Sequence, residues 1–130
     1  MNATRALDWP GNYVPASPIS AGWRVGNLLI LSGQVPRDSE TGVVAERNIV
    51  AQTDSVIDNL TLLLSQNRLS LADVVRCTIY LTAAENFDAF NRVYGNRFRA
   101  PYPARTTLIV GLANPNYLIE LDAVVALTAV

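Results

Sequence analysis

The stretch SLADVVRCTIYL, residues 70–81, decides how this chain folds. Val75, Cys77, Ile79 and Leu81 alternate with Val74, Arg76, Thr78 and Tyr80, a period of two. Successive side chains of a strand point to opposite faces, so the run reads as a strand with one apolar and one mixed face. Helical periods flank it on both sides. Val50, Thr53, Ile57, Leu60 and Leu64 recur at spacings of three and four and predict a helix over 48–66. Phe87, Phe90, Val93, Tyr94 and Phe98 form a second helical stripe within AAENFDAFNRVYGNRFR, residues 83–99.

Further out lie more strands. ISAGWRV and NLLILSGQV precede the first helix, the latter ended by Gly33 and a turn at PRDSETG. ARTTLIVGL and YLIELDAVVAL close the chain, and the ANPN loop between them predicts an antiparallel hairpin. Residues 1–18, rich in Pro, Asn and Gly, read as an irregular arm. The expected order is β-β-α-β-α-β-β, an α+β domain over 1–130 with two helices on one face of a mixed sheet. The last strand is apolar on both faces. Leu121, Ala123 and Val125 alternate on one, and Val124 and Ala126 add further apolar positions. The face without helices is therefore expected to meet another copy of the chain.

Composition removes whole classes of chemistry. The 130 residues contain no histidine, no lysine and one cysteine, and half of them are hydrophobic. Ser-His-Asp and Cys-His catalysis, imidazole or thiolate metal sites and lysine Schiff bases are thereby excluded, so no metal and no cofactor is expected. A net charge of −1 with scattered arginines argues against a nucleic-acid partner. The apolar runs fall far short of the roughly 20 residues that cross a bilayer, and no secretory leader is evident at the start. A lone cysteine fits a reducing cytoplasm, which is the expected location.

What remains for chemistry is carboxylates, arginines, hydroxyls, amides and water. Arg105 heads a strongly apolar strand behind Pro103, where a planar guanidinium fork can take a carboxylate through two parallel hydrogen bonds. A surface arginine at a strand end is the competing reading. Glu120 sits among Leu118, Ile119 and Leu121, where a carboxylate is either paired or raised in pKa and able to pass a proton. Asp122 shares its face by alternation, and spacing does not choose between the two acids. Ser32 and Gly33 end a strand, where glycine allows a ligand close to the backbone or simply stops the strand. Asn91 is a helix-surface amide or one aimed at a pocket, and Cys77 reads as core.

LSGQVP, AQTDSVIDNL, ADVVRCTIYL, FDAFNRVYGNRF, PARTT and IELDAV occur here in the order seen in the reactive intermediate deaminases. Over residues 18–128 the chain resembles this family, also called the Rid or YjgF family. The resemblance implies a chorismate-mutase-like fold assembled as a homotrimer, with sheets facing inward around a barrel and sites in clefts between subunits. It also implies cofactor-free hydrolysis of reactive enamines and imines of 2-amino acids to 2-oxo acids and ammonia. The family's arginine lands on Arg105, as clamp for the substrate carboxylate, and its glutamate on Glu120, positioning the attacking water. Its serine and glycine land on Ser32 and Gly33 and its helix asparagine on Asn91. Two positions that line the site in relatives depart from the pattern. Ile19 stands where tyrosine is common and Thr107 where cysteine is common, which bears on substrate identity more than on reaction type. The alternatives are a trimeric binder of small 2-oxo acids or other carboxylates without turnover, and a dedicated catabolic deaminase of the aminomuconate type.

Overall fold

Asn48 starts the first helix. Its Oδ1 accepts a hydrogen bond from the Ala51 N–H at 2.7 Å, satisfying one of the donors a helix start leaves free. The helix that follows, α1 (Ile49–Gln66), buries Ile49, Val56, Ile57, Leu60, Leu63 and Leu64. Val50, expected on that stripe, is exposed, and Ile49 takes its place. A second helix, α2 (Phe87–Arg97), buries Phe90 and Tyr94. Arg97 joins the two helices at the surface, donating to Asp54 at 3.0 Å and Asp58 at 2.7 Å. The computed structural model describes residues 4–11 and 13–127. Among these, no helix is long and apolar enough to cross a membrane.

Both helices pack on one face of a six-stranded sheet. Its strands are β1 (Thr4–Leu7), β2 (Gly22–Val25), β3 (Leu28–Gln34), β4 (Val74–Leu81), β5 (Ala104–Ile109) and β6 (Ile119–Ala126), in the spatial order β1-β2-β3-β6-β4-β5. The mixed sheet with two helices on one face follows the sequence expectation. β2 and β3 form a tight hairpin whose turn needs Gly26, at φ 60° in the left-handed region.

Three expectations change. Part of the arm read as irregular is a strand, since Thr4–Leu7 pairs antiparallel with β2, Thr4 opposite Val25. The observed order is therefore β-β-β-α-β-α-β-β. Within β4 a register irregularity between Val74 and Arg76 buries Val74 and exposes Val75, which the simple alternation had placed on the apolar face. Lastly, β5 and β6 do not form a hairpin. β4 lies between them, parallel to β5 and antiparallel to β6. A strand, a helix and a strand in succession give a parallel pair by crossover, and the apolar residues of β4 are covered only when it has neighbours on both sides. The connection from β5 to β6 then crosses the end of β4, where Val110 N–H donates to Leu81 C=O at 2.8 Å and Thr82 N–H to Leu118 C=O at 3.1 Å.

A buried glutamine fixes where β6 begins. Gln52 on α1 accepts from the Leu118 N–H at 2.7 Å and donates to the Asn116 carbonyl at 2.9 Å. No water reaches these groups, since Gln52 is fully buried. Substituting Gln52→Leu leaves a donor and an acceptor unmatched, at about 1–3 kcal/mol each. The expected outcome is a loss of about 2–4 kcal/mol in unfolding free energy, read as a lower urea midpoint with little change in slope.

Candidate active site

The antiparallel register sets Glu120 opposite Tyr80 and Asp122 opposite Thr78. Ile119, Leu121, Ala123 and Val125 face the helices and are buried, so Glu120 and Asp122 share the open face. Their surroundings distinguish them. Asp122 accepts a hydrogen bond from the Tyr80 hydroxyl at 2.7 Å. Glu120 has no hydrogen-bond partner among the described residues, and it is half-buried. Burial, and then the charge of Asp122, push its carboxyl above the ordinary value of 4.5.

Gly33 makes room for this carboxylate. β3 bulges between Leu31 and Gln34, and a β-carbon at Gly33 would overlap Glu120 Oε2 and stand 2.8 Å from its carboxyl carbon. No other residue fits there without moving the glutamate. Ser32 beside it donates its hydroxyl to the Ser20 carbonyl, which ties the N-terminal arm to β3. Glu120, Gly33, Ser32 and Ile19 line one cavity of about 420 Å³, together with Trp9 and Tyr117.

Arg105 lies elsewhere. The parallel register sets it opposite Cys77, a residue of the helix-covered face, and sets Thr107 opposite Ile79 on that same face. The guanidinium carbon stands 4.7 Å from the ring centre of Tyr94, 5.2 Å from that of Phe90 and 5.9 Å from that of Phe87. Cation–π attraction holds the charge over these ring faces. Among the described residues it makes no ion pair. Asn91 is exposed on α2, one turn beyond Phe87 on the same flank. Cys77 is buried beneath Arg105, and burial pushes its thiol up to about 11, so it stays protonated and unreactive at neutral pH.

The candidate residues thus fall into two sets. Ile19, Ser32, Gly33 and Glu120 line one cavity, beside Asn59 and Leu62 of α1, whereas Arg105 and Thr107 lie on the helix-covered side of β5 and Asn91 is exposed on α2. A single chain does not bring them together. Sequence reasoning missed the aromatic collar of Arg105, because the stripe of Phe87, Phe90 and Tyr94 reads as ordinary core. It also missed Trp9, Tyr13 and Arg37 in the cavity wall. Trp9 and Tyr13 sit in an arm with no periodicity to place them.

Residues 11–127 match the protein-family model described as Endoribonuclease L-PSP, which covers the YjgF/Rid proteins. The chain belongs to this family. A RutC family protein of Pyrococcus abyssi is 37% identical over 110 residues, covering 85% of this chain and 87% of that one. A RutC family protein of Sinorhizobium fredii is 36% identical over 121 residues, covering 93% and 94%. Among solved structures, RidA from an Antarctic Psychrobacter superposes with a TM-score of 0.83 at 28% identity, covering 88% of this chain and 93% of that one. The yeast protein YEO7 superposes with a TM-score of 0.89 at 28% identity, covering 97% and 100%. Membership in the YjgF/Rid family fits the sheet order and the placement of PARTT and IELDAV on β5 and β6.

The raised carboxyl of Glu120 has a thermodynamic consequence. Between 4.5 and the raised folded value, the folded chain holds a proton that the unfolded chain has released. Stability therefore falls as pH rises through that window, and the loss persists above it. A neutral isostere removes the effect. Glu120→Gln is expected to melt higher than the parent at pH 7, with a smaller difference at pH 4, in thermal unfolding followed by circular dichroism.

Proposed function

We propose that the chain hydrolyses reactive imines and enamines of 2-amino acids to 2-oxo acids and ammonia, as a homotrimer with sites between neighbouring copies. The observation that carries this reading is the separation of two incomplete half-sites. Among the described residues, one side of the sheet bears a half-buried arginine with no carboxylate partner, and the other a half-buried carboxylate with no donor. Each supplies what a 2-imino acid requires, and a neighbouring copy is the means of joining them. The open face supports assembly, since Trp23, Val25, Leu28 and Ile30 expose roughly half of their surfaces. The name RidA borne by the Psychrobacter structure and the family resemblance of PARTT and IELDAV point the same way.

In this reading Arg105 of one copy grips the substrate carboxylate with its outer edge while its flat face rests on the aromatic collar. Glu120 of the next copy holds a water against the imine carbon. The water oxygen adds to carbon, the C=N π pair moves to nitrogen, and Glu120 passes a proton from the water to that nitrogen. Collapse of the carbinolamine reforms C=O and expels ammonia, so one imine and one water give one 2-oxo acid and one ammonia. A carboxyl raised by burial holds and releases the proton more readily near neutral pH than an exposed one. No histidine or lysine is needed, because the imine carbon is already electrophilic. Ile19 and Trp9 give the cavity an apolar wall beside Glu120, which favours substrates with a longer apolar segment over the smallest polar ones.

An assay in which 2-imino acids are generated in situ and their decay is followed tests the reaction. Arg105→Ala is expected to lose both 2-oxo acid binding and turnover. Glu120→Gln is expected to keep binding and slow turnover by roughly 10²-fold. Normal turnover by Glu120→Gln overturns its role, and binding without turnover in the parent returns the chain to a carboxylate binder. For the assembly, sedimentation equilibrium is expected to give about three times the 14.1 kDa chain mass, and a monomer would contradict the shared site.

A further inference from the structure

Arg37 lines the same cavity as Glu120, and the proposed reaction gives it no task. Its mounting is unusually complete for a turn residue. Asn59 on α1 donates to both the Val35 carbonyl at 2.9 Å and the Arg37 carbonyl at 2.8 Å. Arg37 bridges to Val44 across the turn, and its own N–H donates to the Val35 carbonyl at 2.8 Å. Its Nε donates to the Gly42 carbonyl at 2.9 Å, which fixes the plane of the guanidinium.

The two terminal nitrogens of that guanidinium have no hydrogen-bond or ion-pair partner among the described residues. The nearest acid in sequence, Asp38, is already used. Its Oδ1 accepts from the backbone N–H groups of Glu40 and Thr41, both at 2.8 Å, and so holds the turn. Glu120 shares the cavity but does not pair with Arg37. A fixed, half-buried guanidinium with two free donors is a fork set out for an anion. The same cavity wall carries the apolar or aromatic side chains of Trp9, Tyr13, Ile19 and Leu62. The cavity, at about 420 Å³, is large enough for a small ligand of extended shape.

The geometry points to Arg37 as a specificity residue that takes a second, distal carboxylate, so that the preferred substrates are imines of amino diacids with an apolar spacer. This rests on the deaminase reading for the reacting end of the ligand. It concerns the far end alone: Arg105 would hold the carboxylate beside the imine, Glu120 the water, and Arg37 the carboxylate at the other end of the chain.

Two six-carbon 2-oxo acids test it, 2-oxoadipate as the diacid and 2-oxohexanoate as the monoacid, titrated into the full chain by calorimetry. The parent is expected to bind the diacid at least about tenfold tighter, the scale of one charge-assisted contact. Arg37→Gln is expected to lose that preference while keeping its affinity for the monoacid. Equal affinity in the parent overturns the inference whatever the variant does, and so does a preference that survives Arg37→Gln. The corresponding imines, made in situ from 2-aminoadipate and 2-aminohexanoate, separate this from the reaction itself. Turnover of both without preference for the diacid leaves the deaminase reading standing and removes Arg37 from it. Absence of turnover with either imine overturns the deaminase reading, and the binding comparison then still decides the role of Arg37.

Discussion

The placement of β4 between β5 and β6 decides which face of the sheet each charged candidate residue occupies. A strand offers its two neighbours the same alternation, so partners of odd and even residues end on opposite faces. Arg105 is paired with Cys77 and Glu120 with Tyr80, three residues apart on β4, and that odd number sends the two charges to opposite sides of the sheet. No side-chain movement within one chain reverses this. The separation is a property of backbone register, which one slipped residue would invert for every side chain of the strand at once.

The Glu120 side is held in a form that costs stability locally. Glu120 is half-buried without a donor, and Gly33 gives up a side chain so that the carboxylate fits. Arg105, by contrast, is held by attraction over ring faces. The core offsets these costs with well-packed apolar residues, including fully buried Phe90, Ile57, Leu60 and Ile119. Gln52, a fully buried side-chain amide, is satisfied on both its nitrogen and its oxygen.

Much of this was legible in the sequence because period and caps are local. The period-three-and-four stripe through Thr53, Ile57, Leu60 and Leu64 placed α1, and the alternation through Cys77, Ile79 and Leu81 placed β4. The false hairpin of β5 and β6 shows where local reading stops. Asn114–Asn116 does make a turn, with Asn116 N–H donating to Asn114 Oδ1 at 2.9 Å, but a turn says nothing of which strand lies beside the next. Pairing is decided by burial of β4, a non-local demand. The strand Thr4–Leu7 was invisible for a related reason: four residues with three exposed carry no pattern, and only the edge of β2 makes them a strand. Among the site residues, Arg105 and Glu120 stood out as charges in apolar runs. What distinguishes the surroundings of Glu120 and Asp122 is the cross-strand hydroxyl of Tyr80 on Asp122, which no spacing reveals. Arg37 escaped notice because a charged residue in a turn is ordinary until its surroundings are known.

Among the described residues, β5 has a neighbour on one side only. Its outer edge offers six residues of backbone, Ala104–Ile109, ending in exposed Leu108 and Ile109. Such an edge is a template for any extended chain that meets it. Pro101 and Pro103, immediately before it, have no N–H to donate and so trim the template at its start. The strand that presents Arg105 is therefore, with β1, one of the two sheet edges open to unwanted pairing among the described residues. Anything that pairs with that edge removes a backbone liability from the same strand that carries Arg105 over its aromatic collar, so the solubility of the protein depends on what occupies it.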